Sequence, residues 1–136
     1  MLNTVIREIA AALSDRGASP VYSAFDAADI RRKGSGVFTV VEVRSLESFS
    51  PIYSALSIFL PFKAEASIRV TAPRDWDMKL LYAYFDDHIA PAIGDMSSLT
   101  SSLRSLSLKQ DSNIGRLVLT ATLSVSGVVR SERSEQ

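Results

Sequence analysis

The sequence predicts an α+β protein, a two-layer sandwich with a mainly antiparallel sheet of four to five strands packed against two helices. Three observations predict it. Residues 116–127, RLVLTATLSVSG, alternate strictly. Leu117, Leu119, Ala121, Leu123 and Val125 fall on one side, and Val118, Thr120, Thr122, Ser124 and Ser126 on the other. That is the period of a strand, held for longer than strands usually run. Residues 63–72, KAEASIRVTA, alternate in the same way. Two other segments, 2–14 and 78–89, instead repeat apolar residues at i, i+3, i+4, the period of a helix with one buried face.

The first helix is expected from Leu2 to Ser14, with Leu2, Val5, Ile6, Ile9, Ala10 and Leu13 as its stripe. Gly17 stands where a helix C-cap needs a left-handed residue. Pro20 opens an extended segment, Val21–Phe25. Residues 27–36, AADIRRKGSG, read as a loop or exposed arm. Val37–Val43 is apolar on both faces near its middle, as a central strand is, and Ser45–Pro51 breaks it. Ile52–Leu60, IYSALSIFL, fits strand, helix or arm, and Pro61 is expected to end it.

The strand Lys63–Ala72 closes at Pro73. Asp75 or Asp77 then caps the second helix, where a carboxylate suits the positive helix start. Met78, Leu81, Tyr82, Phe85 and Ile89 form its core stripe. Pro91 disfavours helical geometry at Ala90, and Gly94 ends the segment. Leu99–Lys109 is the next strand, and the turn residues 110–115 join it to the strand at 116 as a hairpin. The expected organisation is one domain over 1–129, which suits a chain of 136 residues with one core. The polar tail 130–136, RSERSEQ, is expected to be frayed.

Fifteen basic and fifteen acidic residues give zero net charge, which argues against gripping a nucleic-acid backbone over a whole surface. Neutrality also leaves little repulsion between copies. The chain has no cysteine, so disulfides, thiolate metal sites and cysteine nucleophiles are excluded. No apolar stretch approaches the roughly 18 residues of a membrane span, and the N-terminus lacks the pattern of a signal peptide. The expectation is a chain with no membrane role.

Nothing reads as reaction chemistry. His88 is the only histidine and follows Asp86 and Asp87. Asp87 and His88 are helix neighbours that point about 100° apart, and no GxSxG elbow exists. A helix-surface histidine is the expected reading. Asp75-Trp76-Asp77 lacks further clustered ligands and reads as an acidic cap rather than a metal site. Lys33-Gly34-Ser35-Gly36 is not a phosphate loop and precedes a strand. No catalytic, metal or cofactor-binding residue is assigned, and no cofactor is expected.

Protein-interface candidates are Arg31, Arg32, Lys33, Trp76, Leu80 and Tyr84. The basic run is either a solvated loop or a contact to an acidic partner. Trp76, Leu80 and Tyr84 lie along one line of the second helix, off its core stripe. They either widen the buried face or form an exposed apolar ridge. Asp75, Asp77, Asp86, Asp87 and Asp95 make the same region acidic, so an acidic helix and a basic loop of two copies are able to meet.

The order of elements, with GVFTVVEVRS, AEASIRVTAP and RDWDMKLLYAYFDDHIAPAI in its middle and a hairpin at its end, resembles the tail terminator, or tail completion, proteins of long-tailed bacteriophages and prophages. The resemblance covers about Leu2 to Val129. It is carried most by Val70, Ala72, Pro73, Leu81, Tyr82, Phe85, Ile89 and Pro91. It implies a structural virion protein, not an enzyme. A homo-oligomer, a hexameric ring, would cap the tail tube and support head–tail joining. The implied partners are other phage tail or connector proteins, with assembly in the bacterial host cytoplasm and no direct nucleic-acid recognition. The alternatives are another tail or connector component, or a bacterial α+β protein-binding adaptor. One stretch departs from the pattern: Ile52–Leu60 is more apolar than a free connecting arm.

Overall fold

A computed structural model describes residues 2–18, 20–23, 36–96, 98–112 and 115–132. It has the α+β architecture that the two periodicities predict. Among the described residues six strands form one sheet in the order β1-β2-β4-β6-β5, with a short β3 also paired to β4. The strands are β1 (Val21–Ser23), β2 (Phe38–Ser48), β3 (Ile52–Tyr53), β4 (Ser57–Pro73), β5 (Leu99–Asp111) and β6 (Arg116–Glu132). Only β1–β2 is parallel; every other pairing is antiparallel. The count exceeds four to five because β1 and β3 are three and two residues long, too short for a sequence period to register.

Helix α1 (Leu2–Asp15) buries Val5, Ile9, Ala12 and Leu13. Its end is a Schellman motif: Ala18 N–H donates to Leu13 O and Gly17 N–H to Ser14 O, with Gly17 at φ +86°. Ala18 and Leu13 are both fully buried, which supplies the apolar contact that usually accompanies this cap.

The second helical run has three parts: α2 (Met78–Tyr84), a π-helical turn (Phe85–Ile89) and α3 (Ala90–Gly94). Asp77 is the N-cap, its side chain accepting from Lys79 N–H at 3.1 Å. The expected break at Ala90 does not occur, and Ala90 is helical (φ −58°, ψ −44°). Pro91 cannot donate to the carbonyl four residues back, and its ring would strike it. The wider π turn, in which Ala90 N–H reaches Phe85 O, makes room for that ring.

Both helical runs lie on one face of the sheet. Ala64, Ala66, Ile68, Val70 and Ala72 of β4 point into this layer, in register with Val125, Leu123, Ala121, Leu119 and Leu117 of β6. Three alanines on the central strand let the helices approach closely. The two alternating segments therefore supply the floor of the core, as predicted. On the other face the register gathers a smaller apolar group, Tyr22, Phe38, Val40 and Val118; Tyr22 packs edge-on against Phe38, whose ring lies beside the guanidinium of Arg116. That guanidinium lies 4.8 Å over the Phe38 ring and donates to Thr71 O at 3.2 Å and to Gly36 O. Burial lowers the pKa of Arg116.

Three expected boundaries move. β2 does not break at Ser45; it absorbs Arg44 as a bulge and runs to Ser48. Pro61 does not end a segment, because β4 passes through it. Pro61 O still accepts from Phe49 N–H, and its missing donor faces the same side, just past the end of β2 at Ser48, so only the return bond at a strand end is forgone. β6 continues to Glu132, with Arg130, Ser131 and Glu132 paired to Phe59, Ile58 and Ser57, so the first three residues of the expected tail are strand. Residues 133–136 lie outside the described residues.

Candidate interaction surfaces

These extensions build a feature that neither helix covers. Beyond the Phe62–Gly127–Leu99 level, β4 and β6 continue together, and β3 joins them on the other side. The five residues of β4 beyond Phe62, from Pro61 back to Ser57, carry this arm about 17 Å past the core. Its hairpin end is tied at Ser54, whose N–H donates to Ser57 O, while Ser57 N–H donates to Ser54 Oγ at 3.0 Å. Arg130 stacks on Phe59 and donates to Ser57 Oγ at 3.1 Å.

The arm is apolar on both faces. The register puts Tyr53, Ile58, Leu60 and Val129 on the helix side and Ile52, Phe59, Pro61 and Val128 on the other. Phe49, Ile52, Tyr53, Leu56 and Val128 are exposed, Tyr53 to 64% and Leu56 to 71%. A sheet region with two apolar faces is normally covered on both. The signal was present in the apolar excess of Ile52–Leu60; what sequence alone left open was its conformation.

A second apolar surface lies beside the helix layer. Leu103 and Leu106 of β5 share the face that carries Leu123 and Ala121, yet they are exposed, because the helices stop short of this edge. Met78 and Tyr82 are exposed too, which corrects their place in the core stripe. The other flank of α2 is the one turned to α1: the Tyr84 ring lies 4.7 Å from that of His88, and His88 Nδ1 lies 2.7 Å from Arg16 O. Met78 and Tyr82 occupy the opposite flank of the helix. Leu103 and Leu106 of β5 and Met78 and Tyr82 of α2 are thus exposed apolar side chains of the layer that the helices share with the sheet. The outer backbone edge of β5 runs alongside for 13 residues.

Arg31, Arg32 and Lys33 lie outside the described residues. Trp76, Leu80 and Tyr84 do not form one exposed ridge. Trp76 folds back onto Tyr84, ring centroids 6.4 Å apart, and both pack against the core. Leu80 alone of the three is exposed, to 55%. His88 is half-buried rather than a bare surface histidine, and its Nδ1 contact holds the end of α1. Arg16 and Asp95 add an exposed ion pair between the same elements, which lowers the Asp95 pKa and raises that of Arg16.

The polar face of the sheet holds a shallow cleft of about 620 Å³, which the sequence reading missed. Glu47, Lys63, Glu65 and Arg104 line it with Thr122 and Ser124. Glu47 stands directly opposite Lys63, an ordinary cross-strand pair of opposite charge. His88 is on the other side of the sheet, so no histidine meets these carboxylates. Among the described residues no group of three or more His, Asp or Glu side chains is placed to hold a metal ion. No helix among them is long and apolar enough to cross a membrane.

No protein-family model and no curated protein matches the chain. Among solved structures, the chain is similar to the type 4 fimbrial biogenesis protein PilO from Pseudomonas aeruginosa, at 9% identity and a TM-score of 0.33, covering 97% of this chain and 69% of that one. The core region of PilO from the type IV pilus system of the same organism aligns at 14% identity and a TM-score of 0.26, over 81% of this chain and 96% of that one. Likeness at this level carries no argument about function.

Proposed function

We propose that this protein is a structural subunit that assembles with copies of itself into a ring, of the tail terminator type, capping a phage tail tube and supporting head–tail joining. The observation that supports the reading is the arm: a three-stranded extension, apolar on both faces, held outside the core. Leaving such a surface in water is costly, at roughly 25 cal/mol for each Å² of apolar area. A subunit that covers it by association recovers that energy. The resemblance in element order supplies the tail context, and the alternating strands give the stiff wedge that a ring subunit needs.

The test is electron microscopy of the purified protein with phage tail tubes that lack a terminator. The expected result is ring-shaped particles, with one ring seated at a single end of each tube. Binding along the tube wall, or no binding together with no rings, overturns the reading.

A further inference from the structure

The cleft on the polar face of the sheet lies where two strands are bulged. β2 takes in Arg44 and β5 takes in Arg104 as an extra residue. Both bulges adjoin the same row of the sheet, Val43, Ala66, Leu123 and Leu103. A bulge bends its strand, sharpens the local twist and re-aims a side chain. Arg44 turns to Glu42, with Nε 3.3 Å from Oε1. Arg104 instead lines the cleft, with Glu47, Lys63 and Glu65. The side chains of these four make no ion pair or hydrogen bond within the described residues. Glu47 faces Lys63, whereas Glu65 faces Ser45 and Ser124, and Arg104, as a bulge residue, has no residue directly across from it. Glu65 and Arg104 stand on β4 and β5 with β6 between them, about 10 Å apart at the backbone. Thr122 and Ser124 of β6 line the interval. Beside them Ser67 is fully buried on the same face, opposite Thr122, and its Oγ has no hydrogen-bond partner.

We propose that this cleft binds a short zwitterionic peptide, extended across β6 with its ammonium on Glu65 and its carboxylate on Arg104. The inference is independent of the ring reading. First, the lining holds two carboxylates and two cations. It has no net charge to draw a polyanion or a bare cation, and it matches a ligand that carries both signs. Second, the lining is rich in hydroxyls and has no aromatic ring. Sugars and bases find nothing there to stack on, whereas peptide groups bond to hydroxyls such as those of Thr122 and Ser124. The unpartnered Ser67 Oγ beside them calls for a polar neighbour, which a seated peptide group supplies. Third, the span fits. About three residues of extended chain cover the roughly 10 Å from Glu65 to Arg104. The cleft's volume of about 620 Å³ lies within the range of about 300–1,000 Å³ usual for ligand sites.

Saturation-transfer NMR with trialanine as the probe reads binding to the whole chain at any multimer size. The expected Kd is about 1 mM. Acetylating the peptide's N-terminus, or amidating its C-terminus, should each weaken binding about fivefold, the effect of one exposed ion pair. Glu65→Gln should bind the free and the N-acetylated peptide alike while still preferring the carboxylate to the amide. Arg104→Gln should show the reverse, losing only the preference for the carboxylate. Glu47→Gln, whose charge already faces Lys63, should keep both preferences. No saturation transfer at about 20 mM trialanine overturns the proposal. So does a doubly blocked peptide that binds as well as the free one, or a pair of variants at Glu65 and Arg104 that keep the preferences of the parent.

Discussion

Gly127 sits where the arm leaves the body, between Phe62 of β4 and Leu99 of β5. Both neighbours close over its bare backbone. A Cβ placed there would lie 2.7 Å from Leu99 Cδ2 and 3.0 Å from Phe62 Cζ. Leu99 is able to turn its terminal methyl aside. Phe62 is fully enclosed, and its ring has to shift as a unit. Overpacking of this kind costs about 1–3 kcal/mol. The loss of glycine's freedom in the unfolded chain returns about 0.4–1 kcal/mol. Gly127→Ala should therefore destabilise the fold by about 1–2 kcal/mol, a fall in Tm of about 4–8 °C for a domain of this size. Thermal denaturation by circular dichroism measures it, and the double variant with Leu99→Ala checks the cause. Leu99→Ala alone should cost about 2–5 kcal/mol, and adding Gly127→Ala to it should cost much less than in the parent. An unchanged or higher Tm for Gly127→Ala, or strict additivity with Leu99→Ala, would refute the packing argument.

Three further predictions concern the joint between α1 and the second helical run. Gly17→Ala puts a side chain at φ +86° and within 3.1 Å of His88 Nδ1, so chemical denaturation should show a loss of about 1–2 kcal/mol. His88→Ala removes the contact to Arg16 O and the packing on Tyr84, and should cost about 1–2 kcal/mol while leaving the multimer mass unchanged. A change in multimer mass would show that His88 acts in assembly. Asp95 has its pKa lowered in the folded state by Arg16, so this pair stabilises the fold above the ordinary carboxylate value of 3.8. That contribution is lost as pH falls through the folded-state pKa, below 3.8. Asp95→Asn should flatten the acid limb of a stability–pH curve; an unchanged limb would mean that the pair contributes nothing.

Much of the fold was legible because its central elements are long and regular. The alternation of Ala64 to Ala72 and of Leu117 to Val125 marks the core face, and the i, i+3, i+4 stripe of Val5, Ile9 and Leu13 marks α1. The misses have local causes. Pro61 looked like a stop because a proline removes a donor, but whether that donor is needed depends on the neighbouring strand, and here the neighbour has just ended. Pro91 looked like a break because a regular helix cannot hold it, but a π turn can. Met78 and Tyr82 fit a wide core stripe on the helical wheel. How wide a stripe the sheet covers depends on where its edge falls, which local spacing does not encode. For the same reason nothing in the spacing of the strand expected at Leu99–Lys109 marks Leu103 and Leu106 as exposed. The arm was half legible: its apolar excess stood out, and its projection beyond the helices required the pairing register.

On the proposed function, exposed apolar surface joins copies of this chain into a closed assembly. Sedimentation equilibrium of the unsubstituted chain, run from low micromolar concentration to about 1 mM, tests it most directly. The predicted result is one closed multimer, six protomers in the ring reading, whose mass does not grow further with concentration. A protomer mass throughout that range, or an open series of ever larger species, would contradict it.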